Sequence, residues 1–332
     1  MRSAAAFLLD YLVKGPDGTL VTCPSTSPEN SFVLSDGGNA TVSAASSMDM
    51  WLSRGLLRHC MSASEVLGVD EELRAVWQSA LDNLSVPKIA SDGRLQEWWE
   101  DFGEVEPGHR HLSHLFCVYP GDEVNARTDP KTTVVVRRSL ESRLANGSGK
   151  DGWSRAWVIA LWARMFAGRE AQKSIRGFLA ESVAPNLFCL HRPGWFQIDG
   201  NLGVSAAIAE MLVQSHAGVV DLLPALPPEW TDGEVRGIRA RGGVTVGVAW
   251  SRNRVTRVSL DVIGPQVVRL RCDPSTILVV TNNVGIASRE EGEAGVTVLD
   301  APAPGRYVLE PQAPDRSQSL ASRGAVDRGD AR

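Results

Sequence analysis

The chain has 332 residues, 43% hydrophobic and 22% charged, a balance that excludes a mainly disordered protein and leaves room for about two domains. Lysine and arginine total 34 against 39 aspartate and glutamate, a net charge of −5, and no basic block interleaves with aromatics, so the electrostatic footprint of a nucleic-acid binder is missing. The five cysteines (Cys23, Cys60, Cys117, Cys189, Cys272) never fall in C-x-x-C spacing, which argues against a zinc site or a disulfide framework, and no apolar run reaches the roughly 18 to 20 residues of a membrane span.

The first residues, MRSAAAFLLDYLVKG, resemble a signal peptide, but Asp10 and Lys14 interrupt the apolar run and an amphipathic helix over 3–13 fits better. N-x-S/T triplets at Asn39, Asn83 and Asn146 permit secretion without requiring it, so the compartment stays open. A polar loop follows, containing PSTSPEN, in which Pro28 fixes the backbone before Glu29. A rigidly held carboxylate suits catalysis, while Ser27 capping a helix that begins at Pro28 is the structural alternative.

Helices are expected over 43–60 and 65–83, then a second polar loop, EWWEDFGEVEPGHRHLSH. There Glu97, Glu100, Asp101, Glu104 and Glu106 precede Arg110, flanked by His109 and His111, with His114 one turn on. An arginine inside that histidine run disfavours a metal ion, so no metal is expected. Arg110 and His111 suit hydrogen bonding to sugar hydroxyls, or an ion-pair network with the upstream acids.

Further helices are expected over 110–118, 131–145 and 153–165, the last with Trp153, Trp157, Leu161 and Met165 at every fourth position, and another face runs on through Ile175, Phe178, Leu179 and Ser182. The stretch WFQIDGNLG places Asp199 between an aromatic pair and glycines, ahead of a helix with Asn201 as N-cap and Gly218 as C-terminal stop. Trp195 and Phe196 offer flat apolar surface on which the C–H face of a sugar packs, and Asn201 offers a polar partner. Alternatively, Asp199 serves only to cap the helix.

From about residue 218 the period changes to two. Val244, Val246, Val248 and Trp250 alternate, SRNR makes a turn, and Val258, Leu260 and Val262 alternate again. QVVRLRC, TILVV, GVTVL and RYVLE supply four more short strands, the mark of an antiparallel β-sandwich over 218–310, and the tail 311–332 reads as disordered. Residues 1–217 are mainly α, either an α/α toroid with polar loops gathered at one end or a plain bundle.

Two carboxylates on separate loops, ten tryptophans and neutral polar groups together fit glycoside hydrolysis, in which one acid protonates the leaving oxygen and the other activates water or attacks the sugar. No phosphate-binding, dinucleotide or G-x-S-x-G pattern competes.

The segments LVTCPSTSPENSF, LQEWWEDFGEVEPGHRHLSHLFCVYPGDEV, GWSRAWVIALWAR, FQIDGNLGVSAAIAEMLVQSHAG and LLPALPPEWTDGEVRGIRARGGVTV resemble the catalytic portion of glycoside hydrolase family 95, the 1,2-α-L-fucosidases and their relatives, over about residues 3–310. The resemblance implies an incomplete (α/α)6 barrel followed by a small β domain, and hydrolysis of terminal α-L-fucosyl or α-L-galactosyl residues with inversion. Glu29 resembles the general acid, Asp199 the carboxylate of the base machinery, and Arg110 and His111 sugar-contacting residues. For an inverting pair the carboxyls stand ~6.5 to 9.5 Å apart. A fucosylated oligosaccharide or polysaccharide is the implied partner, with no cofactor, nucleic acid or membrane. The family's water-holding pair of asparagines, spaced by one residue, has no counterpart here, so a sugar-binding remnant or inactive fragment is the alternative expectation.

Overall fold

The structure is a computed structural model; it describes residues 1–191, 194–282, 288–290 and 295–312. It divides into two compact units, Met1–Leu212 with Pro224–Pro227, and Val213–Leu223 with Pro228 onward.

The first unit is helical. Its α-helices are α1 (Arg2–Tyr11), α2 (Ser47–Leu67), α3 (Glu71–Asn83), α4 (Pro130–Ala145), α5 (Gly152–Arg164), α6 (Gly168–Glu181) and α7 (Ile198–Leu212). Ser46 caps α2, its hydroxyl accepting from the Asp49 N–H at 3.4 Å, and Gly68 ends it in the left-handed region at φ 65°. The break between α2 and α3 therefore lies at 68–70, beyond the expected gap at 60–65. Asp129 caps α4, accepting from the Thr132 N–H at 3.0 Å, and Pro130 occupies the first helical position, where its missing N–H costs nothing. Helix α1 buries Ala5 and Leu8 against Leu57, Cys60, Trp77 and Ala80 of α2 and α3. The helix expected over 110–118 contracts to a single 3-10 turn, Ser113–Cys117.

Two expectations change in ways that matter for the site. Every residue of α5 from Val158 to Arg164 is buried, so the C-terminal half of α5 is packed all round rather than on a single apolar face. Trp153 and Trp157, assigned from their spacing to that face, are only half-buried. Helix α7 starts at Ile198, ahead of the expected Asn201 cap, and ends at Leu212, well short of Gly218. Gly218, at φ 73°, instead sits in a turn between two short strands.

The second unit holds ten described strands: β1 (Val213–Gln214), β2 (Val220–Leu222), β3 (Gly233–Ala240), β4 (Val244–Ser251), β5 (Arg254–Val262), β6 (Gln266–Arg271), β7 (Leu278–Val280), β8 (Ser288–Glu290), β9 (Val296–Ala301) and β10 (Gly305–Pro311). They form two five-stranded sheets, ordered β1-β2-β6-β9-β8 and β3-β4-β5-β10-β7. All pairs are antiparallel except β2 with β6, a departure from the purely antiparallel expectation. The β4–β5 hairpin turns through Arg252 and Asn253, both at positive φ (50° and 60°), as a twist-matched two-residue turn demands. The tail expected to be disordered lies, from residue 313 on, outside the described residues.

Candidate active site

Glu29 sits at the third position of a tight turn, Ser27–Asn30, closed by the Asn30 N–H donating to the Ser27 carbonyl at 3.2 Å. Pro28 presets the second position and Glu29 adopts φ 52°. No helix starts there, so the capping alternative for Ser27 and Pro28 falls away. A glutamate in the left-handed region is strained by about 1 to 3 kcal/mol, and such residues cluster at functional sites.

The turn rests on buried polar groups. The Ser27 hydroxyl donates to Glu97 Oε1 at 2.5 Å and Asn30 Nδ2 donates to the same oxygen at 3.0 Å. The other oxygen of Glu97 is bound by Arg143 of α4, which also lies 3.1 Å from Glu104 and donates to the Glu106 carbonyl at 3.0 Å. Burial opposes ionisation of Glu97, but His114 once its ring is protonated, the Arg143 guanidinium and the bonds from Ser27 and Asn30 together outweigh it and hold its carboxyl below the ordinary value. Completing the circuit, His109, fully buried, places Nδ1 3.0 Å from Glu106 Oε2 and Nε2 3.2 Å from the Pro28 carbonyl.

Above this base the Glu29 carboxylate is 63% exposed and ion-paired to Arg110, with His111 Nε2 3.5 Å away. Burial, and then the charges of His109 and Arg110, push the His111 pKa down to about 4, so near neutrality it is an uncharged hydrogen-bonding group. Its ring lies against Trp153, centroids 4.6 Å apart.

Asp199 reaches the same place from α7. Gly152, at the start of α5, and Gly200, in the first turn of α7, both close on the Cys189 sulfur, so a Cβ at either would collide with it. This contact sets the two helix starts side by side and carries Trp153 and Asp199 with them. Asp199 is thus inside the first helical turn, where a helix N-terminus favours negative charge. Gly200→Ala is expected to destabilise the unit by about 1 to 3 kcal/mol, read as a lower thermal midpoint, with part of the loss recovered by adding Cys189→Ala; an unchanged midpoint would refute the close-packing account.

Glu29, Arg110, His111, Trp153, His191, Gln197 and Asp199 line one cavity of about 250 Å³. Of the sequence-derived candidates it gathers Glu29, Asp199, Arg110 and His111. It does not gather Asn201, whose carboxamide is committed to backbone, accepting from the Cys189 N–H and donating to the Leu187 carbonyl, both at 2.8 Å. Asn201 therefore fastens the 187–189 loop to α7. Nor do Trp195 and Phe196 line the cavity; the aromatic wall is Trp153, the first side chain of GWSRAW.

His191 and Gln197 escaped notice in the sequence because neither belongs to a periodic face. Among the described residues Gln197 Oε1 and His191 Nδ1 are buried without a hydrogen bond, although His191 Nδ1 comes within 3.4 Å of Asp151 Oδ1. A groove of about 630 Å³ adjoins the cavity across Arg110 and His191, lined by the loops 105–108 and 146–151. An aromatic pocket of about 310 Å³ adjoins it across Trp153 and Asp199, with Phe116, Tyr119 and Trp157 in its wall. Among the described residues no three His, Cys, Asp or Glu side chains converge as metal ligands, and no helix is long and apolar enough to cross a membrane.

The chain matches the model of the glycosyl hydrolase family 95 catalytic domain over residues 1–212 and that of the glycoside hydrolase family 95 C-terminal domain over 214–309. It is 39% identical over 274 residues to alpha-L-fucosidase 2 of Arabidopsis thaliana, covering 78% of this chain and 32% of that protein. To probable alpha-fucosidase A of Aspergillus niger it is 30% identical over 279 residues, 77% of this chain and 34% of that protein. To its namesake in Aspergillus oryzae it is 28% identical over 291 residues, 80% and 39% respectively. The chain thus spans roughly a third of the length of these curated relatives.

Proposed function

The chain belongs to glycoside hydrolase family 95, and from that premise we propose that its cavity hydrolyses terminal α-L-fucosyl, or α-L-galactosyl, residues of an oligosaccharide or polysaccharide with inversion. The observation that carries this reading is that Glu29 and Asp199, remote in sequence, line one cavity together with Arg110, His111 and Trp153. In this reading Glu29 is the general acid. A sugar hydroxyl that engages the Arg110 guanidinium competes with Glu29 for it, which favours the protonated carboxyl the leaving oxygen requires. Asp199 accepts the proton of the attacking water on the opposite side of the ring. Neutral His111 bonds a sugar hydroxyl, and Trp153 packs on the apolar face of the sugar.

Gln197 and His191 complete the polar lining of the cavity beside Asp199. The groove that meets the cavity at Arg110 and His191 has room for the rest of the glycan. The succession of helices in residues 1–217, with the chemistry on their connecting loops and one helix start, supports part of an (α/α)6 barrel, followed by the β domain over 218–310.

The test is hydrolysis of a 2-linked α-L-fucoside by the full chain, with the anomer of the released sugar followed by NMR. The expected first product is β-L-fucose, and Asp199→Asn is expected to reduce turnover by about 10²- to 10⁴-fold. Release of the α anomer would remove the inverting assignment. Saturable binding of a fucosylated oligosaccharide without turnover would make the cavity a sugar-binding site only.

A further inference from the structure

We propose that Glu97 is the positioning residue for the general acid: it grips the Ser27–Asn30 turn on both sides of Glu29 from within the protein and so fixes the direction in which the Glu29 carboxyl points. The inference rests on the reading of Glu29 as the acid. Its physical basis is the pattern of bonds around a strained residue. Ser27 and Asn30, 2% and 3% exposed, both donate to one oxygen of Glu97, itself 5% exposed. The residue between them that carries the function is the exposed one. Pro28 is held through its carbonyl by His109, whose other nitrogen meets Glu106. Glu106 in turn offers its own carbonyl to Arg143, the partner of Glu97. Three of the four turn residues are thus anchored from below, two of them to the buried Glu97, and Glu29 alone faces the cavity, where it meets Arg110.

Burying a carboxylate and a guanidinium is a poor way to gain stability, because desolvation offsets most of their attraction, whereas such a pair is well suited to specifying one conformation. A left-handed glutamate needs that specification, since without it the turn relaxes toward ordinary backbone angles and the carboxyl swings away. Glu97 touches neither the cavity nor any of its lining carboxylates; it acts through Ser27 and Asn30.

The experiment compares Ser27→Ala, Ser27→Thr and Glu97→Gln in the full chain by amide hydrogen exchange and by turnover of a 2-linked α-L-fucoside. For Ser27→Ala, exchange at Asn30, whose N–H closes the turn, is expected to rise about ten- to hundred-fold, the scale of one lost bond to a charged group, while exchange in α5 stays as in the wild type. kcat is expected to fall about tenfold with KM within twofold, and Ser27→Thr, which keeps the hydroxyl, restores both. Adding Ser27→Ala to Glu97→Gln is expected to cost less than the two single effects combined, since the bond is already weakened. Wild-type exchange at Asn30 in Ser27→Ala overturns the inference, and so does exchange that rises equally in α5, which marks a purely structural role. Glu29→Gln with full activity removes the reading of Glu29 instead, and the exchange result still decides whether Glu97 holds the turn.

Discussion

Glu29→Gln is expected to lower kcat on a natural 2-linked α-L-fucoside by about 10²- to 10⁴-fold, with little change in KM, while turnover of α-L-fucosyl fluoride falls far less. The two substrates separate the roles. A sugar alcohol is a poor leaving group unless protonated as the bond breaks, so its departure depends on the acid; fluoride departs with little protonation. Glutamine keeps the shape and the contact to Arg110 through its carbonyl oxygen, yet has no proton to give. Asp199→Asn, in contrast, disables the attack on either substrate and is expected to depress both alike. Equal losses on both substrates for Glu29→Gln would show that the side chain positions sugar rather than delivering a proton. Unchanged turnover on both would remove it from the chemistry.

How much of this was readable in the chain depends on the range of the interaction. The carboxylates of SPEN and QIDGN, the histidines around Arg110 and the alternation after residue 218 are local features, and the structure brings the four polar candidates Glu29, Asp199, Arg110 and His111 to one cavity. The circuit under Glu29 is not local: Glu97 and Arg143 meet the turn from distant segments, and spacing alone left them among a run of acids and a helix surface. Trp153 is visible as an aromatic, but its period of four points to the core, because the second half of α5 is buried on every side and carries no polar face against which to orient the pattern. Strand β3 is illegible in sequence for the opposite reason: GEVRGIRA sits at a sheet edge, mostly exposed, where charged residues replace the apolar alternation. Gly218 is ambiguous in sequence because a glycine at positive φ serves a helix end and a hairpin turn equally well.

The helical unit is expected to lose stability steadily as pH falls from 7 to 5, a range in which carboxyls of ordinary pKa stay mostly ionised. The cause is His114, 3% exposed in the 3-10 turn. Burial, first, and the positive charges of Arg143, Arg94 and His109 push its pKa down to about 4, against the opposing pull of Glu97, whose Oε2 lies 3.8 Å from Nδ1. The unfolded chain carries an ordinary histidine, so between about 6.5 and 4 it binds a proton that the folded chain refuses, and stability rises with pH across that window. The contribution is present above about pH 6.5 and lost as pH falls toward 4, on the order of a few kcal/mol. His111, depressed in the same direction but partly exposed, adds a smaller share. Glu97, held below its ordinary value, acts with the same sign at lower pH, where the unfolded glutamate protonates first. Urea unfolding at pH 7 and pH 5 measures the slope, and His114→Gln, which cannot be protonated, is expected to flatten it. The same slope in that variant, or a His114 ring signal that titrates above pH 6, would overturn the assignment; a ring that stays neutral to pH 5 means that the folded base under Glu29 refuses the proton which the unfolded chain accepts.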